Sequence, residues 1–275
     1  MDSTDTAKSS STAAIETFDL SRRFGDFTAV DRLNLVVPRG IIFGLLGPNG
    51  AGKSTTIKML TTLLKPSAGT ARVAGFDVRA APRDVRRGIG YVPQLLSADG
   101  ALTGVENLRL SAALYGVPAG EIAPRVSAAL RFMGLEDAAK RLVRTYSGGM
   151  IRRLELAQVM LHRPAVLFLD EPTIGLDPVA RSSVWERLIE LQRHRGTTVF
   201  LTTHDMEEAE VLCDTLGILH EGKIAALGSP VDLKAAVGPQ ATLNDVFAHY
   251  SGGAISEAGE YRNVRTTRST IQRLG

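Results

Sequence analysis

The sequence predicts an α/β fold with a mostly parallel sheet and an all-helical insert. Three observations carry this. Residues 41–46, 166–169 and 198–202 are short, nearly all-apolar runs, the pattern of strands covered on both faces. Segments with apolar residues at helical spacing lie between them. A glycine-rich loop joins the first run to one of those helices. Strand and helix in alternation place ligands at the carboxyl ends of the strands.

The elements follow in order along 275 residues. Residues 1–13 are rich in Ser and Thr and lack an apolar signal core, so a flexible leader is expected, with the folded domain spanning 14–250 and starting near Ile15. Residues 30–37 read as a strand, Pro38-Arg39-Gly40 as a turn and 41–46 as a buried strand. Residues 53–64 read as a helix with Ile57, Leu60 and Leu64 on one face and Pro66 as its stop. Residues 73–92 mix short strands with Gly and Pro turns. The stretch 95–162 reads as purely helical. Thr103 and Glu106 form a capping box, Ile122, Val126, Leu130 and Met133 make a stripe ending at Gly134, and Ile151, Leu154, Ala157 and Leu161 make another stopped by Pro164. The α/β pattern then resumes with strand 166–169. A helix follows from Pro178 with Ala180, Val184, Leu188 and Leu191 on one face, ended by Gly196. Residues 198–202 are a further buried strand, and 216–227 a hairpin around Glu221-Gly222. Residues 251–275 turn polar and are expected to be loose.

Composition bounds the function. An apolar fraction of 44% with 22% charged residues excludes wholesale disorder and fibrous repeats. The single cysteine, Cys213, can make neither an internal disulfide nor a four-cysteine zinc site and suits a reducing cytosol. A net charge of +3 is too small to point to nucleic acid. No run approaches the roughly 18–20 apolar residues that span a bilayer, so any membrane-spanning part is expected to come from another chain.

The chemistry concentrates in a few motifs. Gly47, Pro48, Asn49, Gly50, Ala51, Gly52, Lys53, Ser54 and Thr55 fit G-x-x-x-x-G-K-[ST] between a strand and a helix. Glycines let successive N–H groups turn inward onto phosphate oxygens, Lys53 adds a cation and the Ser54 hydroxyl can ligate Mg²⁺. Asp170 and Glu171 end the strand 166–169, beside where that loop emerges. There Asp170 suits an indirect metal contact and Glu171 the orientation or deprotonation of water. Ser147, Gly148 and Gly149 open a helix; alone they read as a plain N-cap with a flexible entry before they read as an anion site. His204 alone reads as a structural histidine, Gln94 as a surface glutamine and Phe24 as a core aromatic. Cys213 and Trp185 read as core, and His162 and Arg163 as cations at a helix C-terminus.

Taken together and in order, the phosphate loop, Tyr91-Val-Pro-Gln94, Ser147-Gly-Gly149, Asp170-Glu171, Gly175-Leu-Asp177 and His204 resemble the nucleotide-binding subunit of an ATP-binding cassette (ABC) transporter over residues 15 to 230. The resemblance implies a P-loop NTPase core with an N-terminal antiparallel β portion and a helical subdomain over about 95–162. It implies ATP and Mg²⁺ as cofactors. Lys53 and the loop amides would bind phosphates, Ser54, Gln94 and Asp170 would serve the metal, and Glu171 would be the base. His204 would touch the γ-phosphate and Phe24 would stack on adenine. Ser147, Gly148, Gly149 and Asp177 would act across a dimer on ATP held by the opposite subunit. The implied partners are a second ATPase subunit, identical or not, and a separate transmembrane permease sensed through Gln94. The implied location is the inner face of the cell membrane, peripheral and cytoplasmic.

Met150 and Tyr146 stand where the family signature usually has Gln and Leu. With Leu243-Asn-Asp-Val-Phe247 they resemble the branch of daunorubicin-resistance-type drug exporters and their polysaccharide- or lipid-exporting relatives. A small-molecule kinase sharing the loop gives no reason for Ser147-Gly-Gly149 or His204. The DNA-repair and translation cassettes need a long coiled coil, zinc cysteines or a second cassette, none of which this sequence carries.

Overall fold

A computed structural model describes residues 12–251. Residues 1–11 of the expected leader and 252–275 of the expected tail lie outside the described residues. Buried Ala13 already opens strand β1 (Ala13–Phe24), which pairs antiparallel with β2 (Phe27–Pro38). Two further strands, β4 (Ala68–Val73) and β5 (Phe76–Asp77), complete a four-stranded antiparallel sheet in the order β2-β1-β4-β5.

A second sheet holds the expected buried strands. It comprises β3 (Ile42–Leu46), β6 (Ile89–Val92), β7 (Val166–Asp170), β8 (Thr198–Thr203), β9 (Thr215–His220) and β10 (Lys223–Gly228), in the order β10-β9-β3-β8-β7-β6. All its pairings are parallel except the β9–β10 hairpin, which turns at Glu221-Gly222. Alternation along each strand feeds two cores. Phe43, Leu45, Phe168 and Phe200 face the antiparallel sheet and helix α1 (Lys53–Leu60), with Phe200 stacked 5.1 Å from Phe43. Ile42, Leu46, Leu167, Leu169, Val199 and Leu201 join the opposite core with the remaining long helices.

Among these are α3 (Gly104–Leu114), α4 (Ala119–Phe132) and α5 (Gly148–Met160), which form the helical subdomain. The Thr103–Glu106 capping box forms in full at α3. The expectation of a purely helical stretch is corrected at its loops, where an isolated bridge joins Thr103 to Leu142. Helix α6 (Pro178–Arg195) ends at Gly196 in left-handed conformation, and short helices α7 (Met206–Leu212), α8 (Pro230–Val237) and α9 (Leu243–Tyr250) follow. Ser251 is buried, its hydroxyl donating 2.6 Å to the Phe247 carbonyl.

Two helical boundaries differ from expectation. The first helix stops at Leu60 rather than 64, because Thr61 turns its hydroxyl back onto the Ile57 carbonyl at 2.8 Å and Thr62 takes a positive φ of 64°. Between β5 and β6 a helix α2 (Pro82–Gly88) replaces an expected turn, with Pro82 in its first turn, Asp84 near its start and Arg86 and Arg87 near its end. His162 is no helix-end cation. It is half-buried, Nε2 lies 2.8 Å from the Ile89 carbonyl, and the ring stacks on Tyr115 at 4.0 Å. Burial pushes its pKa below the usual histidine range, so the ring packs neutral.

Candidate functional site

The loop after β3 curls because of Gly52, whose φ is 106°; a Cβ there would lie 2.3 Å from the Ala29 carbonyl oxygen. Gly52 offers no side-chain cap, unlike Thr103, Ser147 and Asp177 at α3, α5 and α6, so the leading amides of α1 meet no capping side chain. Their partial positive charge faces a cleft of about 460 Å³ lined by Phe24, Pro48, Asn49, Gly50, Lys53, Ser54, Thr55, Gln94 and Glu171. Gly47 and Ala51 stand behind that lining. A Cβ on Gly47 would meet the Leu219 carbonyl at 2.5 Å, and Ala51 is buried, its carbonyl accepting from the Gly222 amide at 3.1 Å.

Lys53, only 5% exposed, is held by the loop itself. Its Nζ donates to the carbonyls of Gly47 (2.7 Å) and Pro48 (3.1 Å) and sits 3.5 Å from Glu171 Oε1. Burial lowers its pKa below the usual lysine range, opposed by the charges of Glu171 and Asp170.

Parallel register brings the two carboxylates to this loop. Asp170 at the end of β7 pairs with Thr202 of β8, whose hydroxyl donates to Asp170 Oδ1 at 2.6 Å, and Ser54 donates to the same oxygen at 3.0 Å. Glu171 follows at a left-handed φ of 49°, with its amide bonded to the Thr202 hydroxyl and carbonyl, both at 3.1 Å. Held in this sparse conformation, its side chain turns into the cleft. Gln94 Nε2 donates to Oε2 at 3.2 Å, and His204 Nδ1 lies 3.2 Å from Oε1. Lys53 from the first turn of α1 and Gln94 and His204 from just past the ends of β6 and β8 thus converge on one carboxylate. Burial, with the nearby charge of Asp170, pushes the Tyr91 hydroxyl up to about 12.

The donors fit Mg²⁺. Ser54, Asp170 and Gln94 offer hard oxygens, too few for a cage but suited to an ion that keeps waters and phosphate oxygens. Phe24 is no core aromatic. It is 46% exposed at the cleft, with the Arg22 guanidinium 4.5 Å over its ring.

Ser147, Gly148, Gly149 and Asp177 line no part of this cleft. They form a second cluster in which two helix N-termini adjoin. Ser147 Oγ accepts from the Met150 amide at 3.3 Å, Asp177 Oδ1 from the Ala180 amide at 2.9 Å. A Cβ on Gly149 would lie 2.6 Å from that of Ala180. The sequence reading missed Thr202, which the hydroxyl pair ending an otherwise apolar strand could have flagged, and Phe27, a second aromatic at the cleft mouth.

Residues 30–174 match the family model described as ABC transporter. The chain is 47% identical over 227 residues to the daunorubicin/doxorubicin resistance ATP-binding protein of Streptomyces peucetius, covering 82% of this chain and 68% of that protein. It is 45% identical over 223 residues to the Nod factor export ATP-binding protein I of Ralstonia nicotianae, covering 81% and 69%. Among solved structures, an ATP-binding subunit of an ABC transporter superposes with a TM-score of 0.77 at 33% identity, over 86% of this chain and 99% of that one.

Proposed function

The chain belongs to the ABC transporter family, and from that premise we propose how its residues work as the ATP-hydrolysing motor of an exporter. The observation that carries the reading is the convergence of Lys53, Gln94 and His204 on Glu171 beside the phosphate loop.

In this reading Lys53 releases its two loop carbonyls and turns to the β- and γ-phosphates, joined by the loop amides and the uncapped start of α1. Phe24 stacks on the adenine. Ser54, Asp170 and Gln94 hold Mg²⁺, which supplies charge neutralisation at the phosphates. Glu171 takes the proton of the attacking water, and His204 steadies both Glu171 and the γ-phosphate. Thr202 keeps Asp170 aimed at Ser54 through its 2.6 Å bond.

The second cluster supports a two-copy arrangement. Ser147, Gly148 and Gly149 open helix α5 away from the subunit's own cleft, so they serve a nucleotide only if a second copy, or a similar ATPase subunit, packs head to tail. ATP then adds bonds in the closed pair alone and shifts the population toward closure. Among the described residues no helix is long and apolar enough to cross a membrane. The relatives described as ATP-binding proteins support assigning the membrane path to a separate permease, with this subunit peripheral on the inner face. The relatives named for drug resistance and Nod factor export support outward transport of a drug-, lipid- or polysaccharide-like molecule.

The test is phosphate release by the purified chain. Turnover should require Mg²⁺, need no phosphoryl acceptor, and rise in specific activity with subunit concentration. A chain that phosphorylates an added small molecule instead of water, or turns over equally well as a dilute monomer, overturns the reading.

A further inference from the structure

Helix α5 carries two charged residues in its buried face. The side chains of Arg152 and Glu155 are each 2% exposed and lie 3.0 Å apart, one helical turn from one another. Both grip the segment that bears Gln94. The Arg152 guanidinium donates to the carbonyls of Pro93 and Gln94, both at 2.8 Å. Glu155 Oε1 accepts from the Ser97 amide and, at 3.0 Å, from the Ser97 hydroxyl. Among the described residues, 93–98 make no backbone–backbone hydrogen bond, and Leu95 is 81% exposed. The ion pair is thus the segment's principal polar anchor. A pair this buried loses hydration that a well-packed apolar pair would not, and a planar guanidinium holding two carbonyls and a carboxylate is a geometric device before it is a stabilising one.

We propose that Arg152, with Glu155, is a positioning residue for hydrolysis, clamping the Gln94 segment onto the helix that begins at Ser147-Gly-Gly149 so that the two move as one piece. The proposal rests on the function proposed above. The Gln94 amide keeps its 3.2 Å approach to Glu171 because its backbone is fixed from below. Any displacement of the exposed segment, such as a permease would impose, is handed through the guanidinium to α5 and so to the second cluster.

The experiment compares the full chain with Arg152→Met/Glu155→Leu, which removes both charges together and refills the space, and with Arg152→Lys, which keeps a charge but not the fork. The readouts are ATP turnover and amide exchange at residues 94–97. Since the phosphate loop is untouched, KM should stay within about twofold while kcat falls roughly tenfold. Exchange at Ser97 should accelerate about tenfold or more in the double variant. If the double variant fails to fold, Arg152→Lys is read by the same criteria. A folded variant with the parent kcat and parent exchange overturns the clamp, as does a raised KM with kcat unchanged. If the parent chain itself hydrolyses no ATP, the function reading fails instead, and exchange alone still decides whether the pair anchors the segment.

Discussion

Glu171→Gln isolates the carboxylate proposed as the base at almost no steric cost. The amide keeps the side chain's shape and can still meet Gln94, but it cannot accept a proton from water. General-base assistance is worth about 10²–10⁴ in rate, so kcat should fall by roughly a hundredfold or more, about 2.7 kcal/mol in the barrier. Binding should move the other way. Glu171 lies 3.5 Å from Lys53, a separation at which opposite charges attract by about 5 kcal/mol at an effective dielectric near 20. The carboxylate therefore competes with incoming phosphate for Lys53 and repels it. Neutralising it should leave the Kd for MgATP equal or lower, by about an order of magnitude at most after solvent compensation. Single-turnover phosphate release measures the first quantity, equilibrium binding of a fluorescent ATP analogue the second, and sedimentation should show closed pairs accumulating with ATP. A variant that turns over within a few-fold of the parent, or that loses ATP binding, refutes Glu171 as the base.

Phe24→Ala should raise KM for ATP with little change in kcat, since base–aromatic stacking contributes about 1–3 kcal/mol per base; steady-state kinetics check it, and an unchanged KM removes Phe24 from the adenine site. Gly149→Ala should destabilise the chain by about 1–3 kcal/mol through the 2.6 Å approach to Ala180, and Ala180→Gly in the same chain should recover the loss in a denaturant titration. Glu208 is buried, with Thr173 and Trp185 donating to its Oε1 at 2.7 and 3.1 Å. Burial raises its pKa above the ordinary carboxylate value, against the lowering pull of these bonds and with a further push from Asp205. A raised folded pKa means the native state holds the proton longer than the unfolded chain, so this group's stabilising effect is lost as pH rises past the unfolded value. Glu208→Gln keeps the accepting oxygen. It should flatten the fall in stability above the ordinary carboxylate range and raise Tm at neutral pH; thermal melts across pH that parallel the parent's would refute it.

Most of the α/β order was legible because it is local. A fully apolar run as short as 166–169, closed off by Pro164 before it and Asp170-Glu171 after it, reads as a strand covered on both faces, and Thr103 with Glu106 announces a helix start by bonds it makes to its own backbone. The first helix was read too long because Leu64 fits the apolar stripe, while the bond from Thr61 back to Ile57 that helps end the helix leaves no periodic mark. Helix α2 was missed because seven residues are too few to show a period.

What the sequence determined alone was an inventory with its local geometry: a phosphate-binding loop between strand and helix, two carboxylates at a strand end, and a Ser-Gly-Gly helix start. Only the tertiary structure decided that Lys53, Gln94 and His204 meet on Glu171, that Ser147-Gly-Gly149 lies outside its own subunit's cleft, that His162 packs neutral, and that Arg152 and Glu155 are buried together under the Gln94 segment. The division has one cause. Backbone propensity and capping act over a few neighbours and are written in residue order, whereas strand register, burial and the pairing of charges join residues as distant as Ser54 and Asp170, 116 positions apart, and depend on water being excluded by the whole fold.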